Sequence, residues 1–77
     1  MKIIISGYGR MGKIIEKTAK QRGHVIIATV DPLVSGANAK SLSKEMLENV
    51  DVVIDFSIPE TALKNAETVC SAGKKIV

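Results

Sequence analysis

Aromatic and sulfur side chains are scarce in this chain of 77 residues, which has no tryptophan, one tyrosine, one phenylalanine and one cysteine. A single cysteine cannot form an internal disulfide or a cysteine-based metal site. So few aromatic rings cannot form the stacking surface that single-stranded nucleic acid requires. The net charge of +3 is concentrated in a short lysine-rich stretch. At helical spacing, such a stretch is typical of a solvated helix face. We therefore expect no nucleic-acid partner.

Long hydrophobic runs are also lacking. The longest unbroken apolar run is Val25–Ala28, whereas a membrane-spanning helix needs about 20 apolar residues. The apolar run after Met1 and Lys2 is too short for a secretory signal peptide. With 45% hydrophobic and 25% charged residues, the composition is that of a folded domain and not of a disordered chain. We expect a cytoplasmic protein without membrane contact.

Apolar periodicity predicts alternating strands and helices. β-Branched runs predict three strands and the start of a fourth, at Lys2–Ser6, His24–Val30, Val50–Phe56 and Lys75–Val77. Helical spacing predicts a helix from Met11 that Gly23 ends, a short helix at Ser41–Asn49, and a third helix that Gly73 ends. We expect Ser57 and Glu60 to form a capping box at the start of the third helix, and Cys70 to pack on its buried side.

The order of these elements determines the expected fold class. Strands that alternate with helices indicate right-handed crossovers and a parallel sheet. The prediction is an α/β, Rossmann-like parallel sheet with helices on both faces, as a half-domain of three strands plus the start of a fourth. In this topology we expect the second and fourth strands to flank the first. A fourth strand of three residues would leave the apolar edge of Ile3–Ile5 uncovered, so we expect a homo-oligomer formed through that edge.

A glycine-rich string follows the first strand. Gly7, Gly9 and Gly12 form a GxGxxG pattern that opens the first helix, and Asp31 ends the second strand 19 residues after Gly12. In dinucleotide-binding proteins such glycines allow a tight turn, close approach of the pyrophosphate and close packing of helix on strand. The helix N-terminus offers free N–H groups to phosphate, and an acid about 20 residues later binds a ribose hydroxyl. The context therefore predicts a dinucleotide partner. The alternative is a glycine-rich turn that binds nothing.

The residues around Asp31 bear on the choice of cofactor. A carboxylate accepts hydrogen bonds from a free 2′-hydroxyl and repels a 2′-phosphate. Pro32 and Leu33 follow directly, and the next basic residue is Lys40. We therefore expect NADH to be preferred and NADPH to be possible, with Arg10 as a further cation on the adenine side.

Three segments together resemble the N-terminal segment of the 4-hydroxy-tetrahydrodipicolinate reductase (dihydrodipicolinate reductase) family of lysine biosynthesis. They are Gly7–Lys13 (GYGRMGK), Asp31 and Asp51–Glu60 (DVVIDFSIPE). The Arg-Met-Gly ending of the loop and the Asp-Phe-Ser-x-Pro string are the most specific parts, and the resemblance covers essentially the whole chain. Many family members have a glycine loop longer by one residue, GxxGxMG, whereas this sequence resembles the shorter form.

The resemblance implies a cofactor site and an activity. The activity is that of an NAD(P)H-dependent reductase, an oxidoreductase that transfers hydride from a nicotinamide cofactor to a cyclic intermediate of the diaminopimelate pathway. Asp31 would hold the adenine ribose, and Phe56 and Ser57 would lie near the cofactor at the end of the third strand. The pyrophosphate and adenosine side would be lined by Gly7, Tyr8, Gly9, Arg10, Met11 and Gly12.

Several motifs that the resemblance implies lie outside these residues. They are a Gly-Thr-Thr-Gly turn beside the nicotinamide, and the His-His and Lys-x-Asp-x-Pro-Ser-Gly-Thr motifs of a substrate domain. We therefore expect residues 1–77 to be the N-terminal part of a dinucleotide-binding domain, truncated near residue 77, with the substrate domain absent. No residue is assigned a catalytic or metal-binding role, and the small-molecule substrate would bind only to the full-length parent. Asp55 is expected to be hydrogen-bonded to neighbouring backbone.

Two alternative functions remain open. One is an isolated or engineered half-Rossmann module that folds or binds without turnover. The other is a different Rossmann oxidoreductase, such as a sugar or amino-acid dehydrogenase, against which the Asp-Phe-Ser-x-Pro string argues.

Overall fold

The predicted α/β fold is confirmed. A computed structural model describes residues 1–57 and 59–77, which form one parallel sheet and three helices. In chain order the elements are β1 (Lys2–Ser6), α1 (Arg10–Gln21), β2 (Val25–Val30), α2 (Lys44–Leu47), β3 (Val52–Asp55), α3 (Pro59–Ser71) and β4 (Lys75–Ile76). Among the residues described, no helix is both long enough and apolar enough to cross a membrane.

The strand order is β2-β1-β3-β4, so β1 lies in the interior of the sheet. β1 pairs in parallel with β2 on one side, where Ile5 is opposite Thr29, and with β3 on the other, where Ile5 is opposite Ile54. The expectation that β4 flanks β1 was therefore wrong. The edge of Ile3–Ile5 is not exposed, and self-association through it is excluded as well.

The reason for this error lies in the segment between β2 and α2. In the common doubly wound order a third strand pairs with the second, and the fourth strand returns to the far side of the first. Here the residues after β2 form a single bridge, between Val30 and Ala39, instead of a strand. The third full strand of the chain, β3, consequently takes the place beside β1.

Side chains of the sheet pack against helices on both faces. On one face Ile4, Val30 and Val53 pack with Leu47 of α2 and Val69 of α3. On the other face, Ile3, Ile5 and Val52 of the sheet pack with Ala19 of α1. Ile15 of α1 and the strand residues Ile26 and Ile54 lie at the margin of this cluster. The strands are therefore apolar on both sides, as expected for a parallel sheet covered by helices.

The helices show which apolar residues the periodicity misplaced. In α1, Met11 and Ile14 share the helical spacing of the buried Ala19, but they are 53% and 52% exposed. Cys70 was expected to be buried in α3, and it is exposed. α2 is shorter than predicted, since it begins after Ser43, whose hydroxyl caps the Met46 N–H at 3.4 Å. α3 begins at Pro59, and the predicted capping box of Ser57 and Glu60 spans residue 58, which lies outside the described residues.

Candidate functional site

The carboxyl ends of β1, β2 and β3 border an open cleft of about 640 Å³. Ligands of parallel α/β sheets bind at this edge, where the connections on the two sides of a strand run to opposite faces. The cleft brings together eight of the nine residues that the sequence analysis proposed for the cofactor. They are Gly7, Gly9, Arg10, Met11, Gly12, Asp31, Phe56 and Ser57. Their binding of a cofactor remains a prediction.

Two glycines of the loop are required by the fold. Gly7 has a φ of +93°, and a Cβ there would lie 2.8 Å from the carbonyl carbon of Phe56 and 2.9 Å from the Ser57 nitrogen. A Cβ at Gly12 would collide with the carbonyl oxygen of Gly7. Because both obstacles are backbone atoms, any side chain at either position would push the loop away from β3 or α1 away from the loop.

The third glycine faces open space. Gly9 is the N-cap residue of α1, and a Cβ there would have no neighbour within 4 Å. The first main-chain bond of the helix runs from the Lys13 N–H to the Gly9 carbonyl oxygen at 3.1 Å. The preceding N–H groups of the first turn therefore have no partner within the helix. No side chain of the described residues caps α1, and its first turn contains no acid. This end of the cleft is suited to an anion.

Asp31 connects the glycine loop to the segment after β2. Its Oδ2 accepts the Tyr8 N–H at 2.8 Å, and its Oδ1 accepts the N–H groups of Leu33 at 2.8 Å and Val34 at 3.1 Å. The hydrogen bond from Leu33 has the largest effect and lowers the pKa of Asp31 below its ordinary value. The bonds from Tyr8 and Val34 also lower this pKa, whereas desolvation raises it by less than the Leu33 bond lowers it. The carboxylate is therefore anionic at neutral pH. About one of its four lone-pair positions is left for a ligand.

Tyr8 is the predicted site residue whose side chain does not line the cleft. Its hydroxyl donates to Glu16 Oε1 at 2.6 Å, and this bond raises the pKa of Tyr8 above its ordinary value. The ammonium group of Lys13 lies 5.6 Å from the centre of the ring, within the range of a cation–π contact. The side chain thus lies along α1, and Tyr8 contributes to the loop through its backbone N–H.

Comparison with known proteins agrees with this geometry. A family model described as "Dihydrodipicolinate reductase, N-terminus" matches residues 1–77.

The chain belongs to the dihydrodipicolinate reductase family.

Curated relatives named 4-hydroxy-tetrahydrodipicolinate reductase support the assignment. The protein from Christiangramia forsetii is 38% identical over 88% of this chain and 26% of its own length. The protein from Exiguobacterium is 42% identical over 77% of this chain and 23% of its own length. The protein from Archaeoglobus fulgidus is 30% identical over all of this chain and 35% of its own length. The chain thus spans about a quarter to a third of the length of these relatives.

The resemblance to the reductase family did not identify the charged residues at the far walls of the cleft. Lys40 lines it beside Asp31, and Lys64 lines it from α3, where Glu60 is also present. With Arg10 at the loop, cations outnumber the acids Asp31 and Glu60 in the lining. The lysines are separated from the glycine loop by many residues, and the spacing of the sequence alone did not place them together.

Asn65 is a second lining residue that sequence reasoning missed. The amide is buried in α3, and its Nδ2 donates to the hydroxyl of Ser6 at 2.8 Å. The signal for Asn65 in the sequence is its spacing from Val69. The two residues are four positions apart, which places both on one face of a helix. The expected backbone contact of Asp55 is confirmed, since its Oδ1 accepts the Ser57 N–H at 2.7 Å.

Proposed function

We propose that this chain is the NAD(P)H-binding segment of a 4-hydroxy-tetrahydrodipicolinate reductase. The observation that supports this most is the arrangement of three strand ends. The glycine loop and the uncapped start of α1 follow β1, Asp31 follows β2 on one side, and Phe56 and Ser57 follow β3 on the other. A dinucleotide is a ligand with a central anion and a ribose on each side, and it matches this order.

The residues of the cleft are compatible with such a ligand. The N–H groups at the start of α1 would bind the pyrophosphate, and the absence of a side chain at Gly9 would let it approach the backbone. Asp31 would accept a ribose hydroxyl of the adenosine half, while Arg10 and Met11 would line that half. Phe56 and Ser57 would line the nicotinamide half. The volume of about 640 Å³ lies within the usual range of small-molecule sites, roughly 300–1,000 Å³.

When bound, the nicotinamide would supply hydride for the reduction of a cyclic intermediate of lysine biosynthesis. The contribution of this chain is to bind and orient the cofactor. The groups that the resemblance assigns to proton donation and to substrate binding lie outside these 77 residues. We therefore propose that these residues alone bind the dinucleotide without turnover. The single cysteine and the biosynthetic role of the family favour the cytoplasm as the location.

Calorimetric titration of the chain with NADH tests the proposed function. We expect saturable binding at a stoichiometry of one, together with no oxidation of NADH when the reductase substrate is added. A chain that binds neither NADH nor NADPH would be a folding module with a glycine-rich turn, and the proposed function would be wrong.

We further propose that NADH is preferred and that NADPH is accepted. Asp31 is an anion on the adenosine side, where a 2′-phosphate would be repelled, whereas Lys40 lines the same part of the cleft and would attract that phosphate. The two residues therefore have opposite effects on the ratio of the two dissociation constants.

Two variants test this preference. Asp31→Asn removes the anion, and we expect the ratio of the NADPH to the NADH dissociation constant to fall about tenfold. A tenfold change corresponds to roughly the free energy of one hydrogen bond to a charged group. Lys40→Gln should raise the same ratio. A ratio is the appropriate measurement because Asp31 also holds backbone N–H groups, and a general weakening of the loop would change both constants equally. An unchanged ratio in both variants would exclude these residues from the adenosine subsite.

A further inference from the structure

A buried polar cluster lies beneath one side of the cleft, at the end of β1. Its members are the side chains of Ser6, Ser57 and Asn65, and Ser6 and Asn65 are only 2% and 7% exposed. The Asn65 Nδ2 donates to the Ser6 hydroxyl at 2.8 Å and makes a longer contact of 3.4 Å with the Ser57 hydroxyl. One side chain of α3 thus connects the central strand with the turn that follows β3.

An asparagine at this position is not explained by the stability of α3. Asparagine is a weaker helix former than leucine or alanine, and burial of an amide is unfavourable unless it is hydrogen-bonded. Asn65 lies on the same helix face as Val69, which is fully buried in the apolar core. An apolar residue would therefore suit the packing of the helix. The hydrogen-bonding capacity of the amide is used on the two serines.

The turn at Phe56 and Ser57 is otherwise held through its backbone. The Phe56 N–H donates to the Ser6 carbonyl oxygen at 2.7 Å, and the Ser57 N–H donates to Asp55. The turn also lies directly against Gly7. Among the described hydrogen bonds, the contact with Asn65 is the one that links the turn to α3.

We infer that Asn65 is a positioning residue, which fixes the turn of Phe56 and Ser57 and thereby sets the affinity of the cleft for the half of a dinucleotide beyond the glycine loop. This inference rests on the proposed function. The strand order β2-β1-β3 places the turn on the opposite side of the loop from Asp31. The nicotinamide half would therefore depend on Asn65 more strongly than the adenosine half and the pyrophosphate.

The chain offers a matched control on the adenosine side. Asn38 connects the segment after β2 to that strand, as its Oδ1 accepts the backbone N–H of Thr29 at 3.0 Å and its hydroxyl at 3.2 Å. The Asn38 N–H in turn donates to the Thr29 hydroxyl at 3.1 Å. Both asparagines thus use a side-chain amide to hold a loop at a strand end, and they do so on opposite sides of β1.

The test compares ADP with NADH as ligands, since ADP has the adenosine and pyrophosphate but lacks the nicotinamide half. For Asn65→Leu, which keeps the branched shape and the number of side-chain heavy atoms and removes the amide, we expect the NADH affinity to fall about threefold to tenfold, the effect of one modest hydrogen bond. The affinity for ADP should stay within about twofold of the wild type. Asn38→Leu should weaken ADP and NADH by the same factor.

Further variants separate positioning from general stability. Asn65→Leu leaves the buried Ser6 hydroxyl without its partner, so the double variant Ser6→Ala/Asn65→Leu is used if the single variant folds poorly. A double-mutant cycle with Ser57→Ala adds a second measurement, because two residues that act through one contact give non-additive losses. We expect Ser57→Ala to cause little further loss of NADH affinity once Asn65 is replaced.

The outcomes distinguish this inference from the proposed function. If the wild-type chain binds neither ADP nor NADH, both are wrong. If it binds both, and replacement of Asn65 weakens ADP and NADH equally, changes neither, or is fully additive with Ser57→Ala, only the positioning role is overturned.

Discussion

A methyl group at Gly12 would collide with the Gly7 carbonyl oxygen, and it would lie 3.3 Å from the Gly7 carbonyl carbon and 3.4 Å from Ile5 Cγ2. Two of these atoms belong to the backbone, so the clash cannot be relieved by rotation of a side chain. We expect Gly12→Ala to lower the free energy of unfolding by about 1–3 kcal/mol, as for an overpacked core. Urea denaturation would measure the change.

Gly9→Ala is the matched control at the residue scale, because its methyl group would meet no atom within 4 Å and the φ of −80° is accessible to alanine. We expect its free energy of unfolding to fall by less than about 1 kcal/mol, the cost of alanine in place of glycine at an N-cap position. Its NADH affinity should nevertheless fall, since the methyl group would occupy the space proposed for the pyrophosphate. Equal stability of the Gly12→Ala and Gly9→Ala variants would contradict the assigned roles.

The pKa of Asp31 predicts a pH dependence of stability. Three backbone N–H groups lower this pKa in the folded chain relative to the unfolded chain. A carboxyl group whose pKa is lower in the folded chain stabilises the fold at pH values above its pKa in the unfolded chain, about 3.9. This stabilisation is lost as the pH falls through the pKa of the folded chain. We expect the wild type to be more stable than Asp31→Asn at pH 7 and the difference to shrink below about pH 4. Urea titrations at several pH values would show it, and a constant difference would refute it.

At the scale of elements, α3 shows how far periodicity determines packing. Val69 is fully buried, whereas Leu63 is 66% exposed, Cys70 is exposed and Asn65 is buried. Apolar spacing alone therefore does not identify the buried side of α3. The hydrogen bond from Asn65 to Ser6 satisfies a polar side chain on the buried side of α3, where a scale of hydrophobicity predicts no burial.

Val69 and Cys70 form a matched pair for a test on this helix. We expect Val69→Ala to lower the free energy of unfolding by about 2 kcal/mol, from the loss of two buried methyl-sized groups and the cavity that remains. Cys70→Ser should change it by less than about 0.5 kcal/mol. A thiol reagent should label Cys70 in the native chain without prior unfolding. Slow labelling, limited by unfolding, would indicate that the thiol is covered in solution.

At the scale of the whole molecule, bound ligand should contribute a large share of the stability. A domain of 77 residues buries a limited core, and a ligand at 100 times its dissociation constant adds about 2.7 kcal/mol. For a domain of this size that corresponds to an increase in Tm of roughly 10 °C or more. We expect Tm to rise with the logarithm of the NADH concentration in thermal denaturation. A Tm independent of NADH would argue against the proposed function.

The local features of this protein were determined by its sequence. The φ of Gly7, the contact at Gly12 and the β-branched runs of the sheet depend on neighbours along the chain or on properties of single residues, and the family motifs are strings of adjacent residues. The strand order, by contrast, was decided by tertiary structure. The segment around Ala39 forms one bridge instead of a strand, and β3 therefore pairs with β1. Likewise, the contact between Asn65 and Ser6 joins residues 59 positions apart. Such contacts arise only when the sheet and α3 pack together, because the geometry that satisfies a buried amide is set by elements distant in the chain.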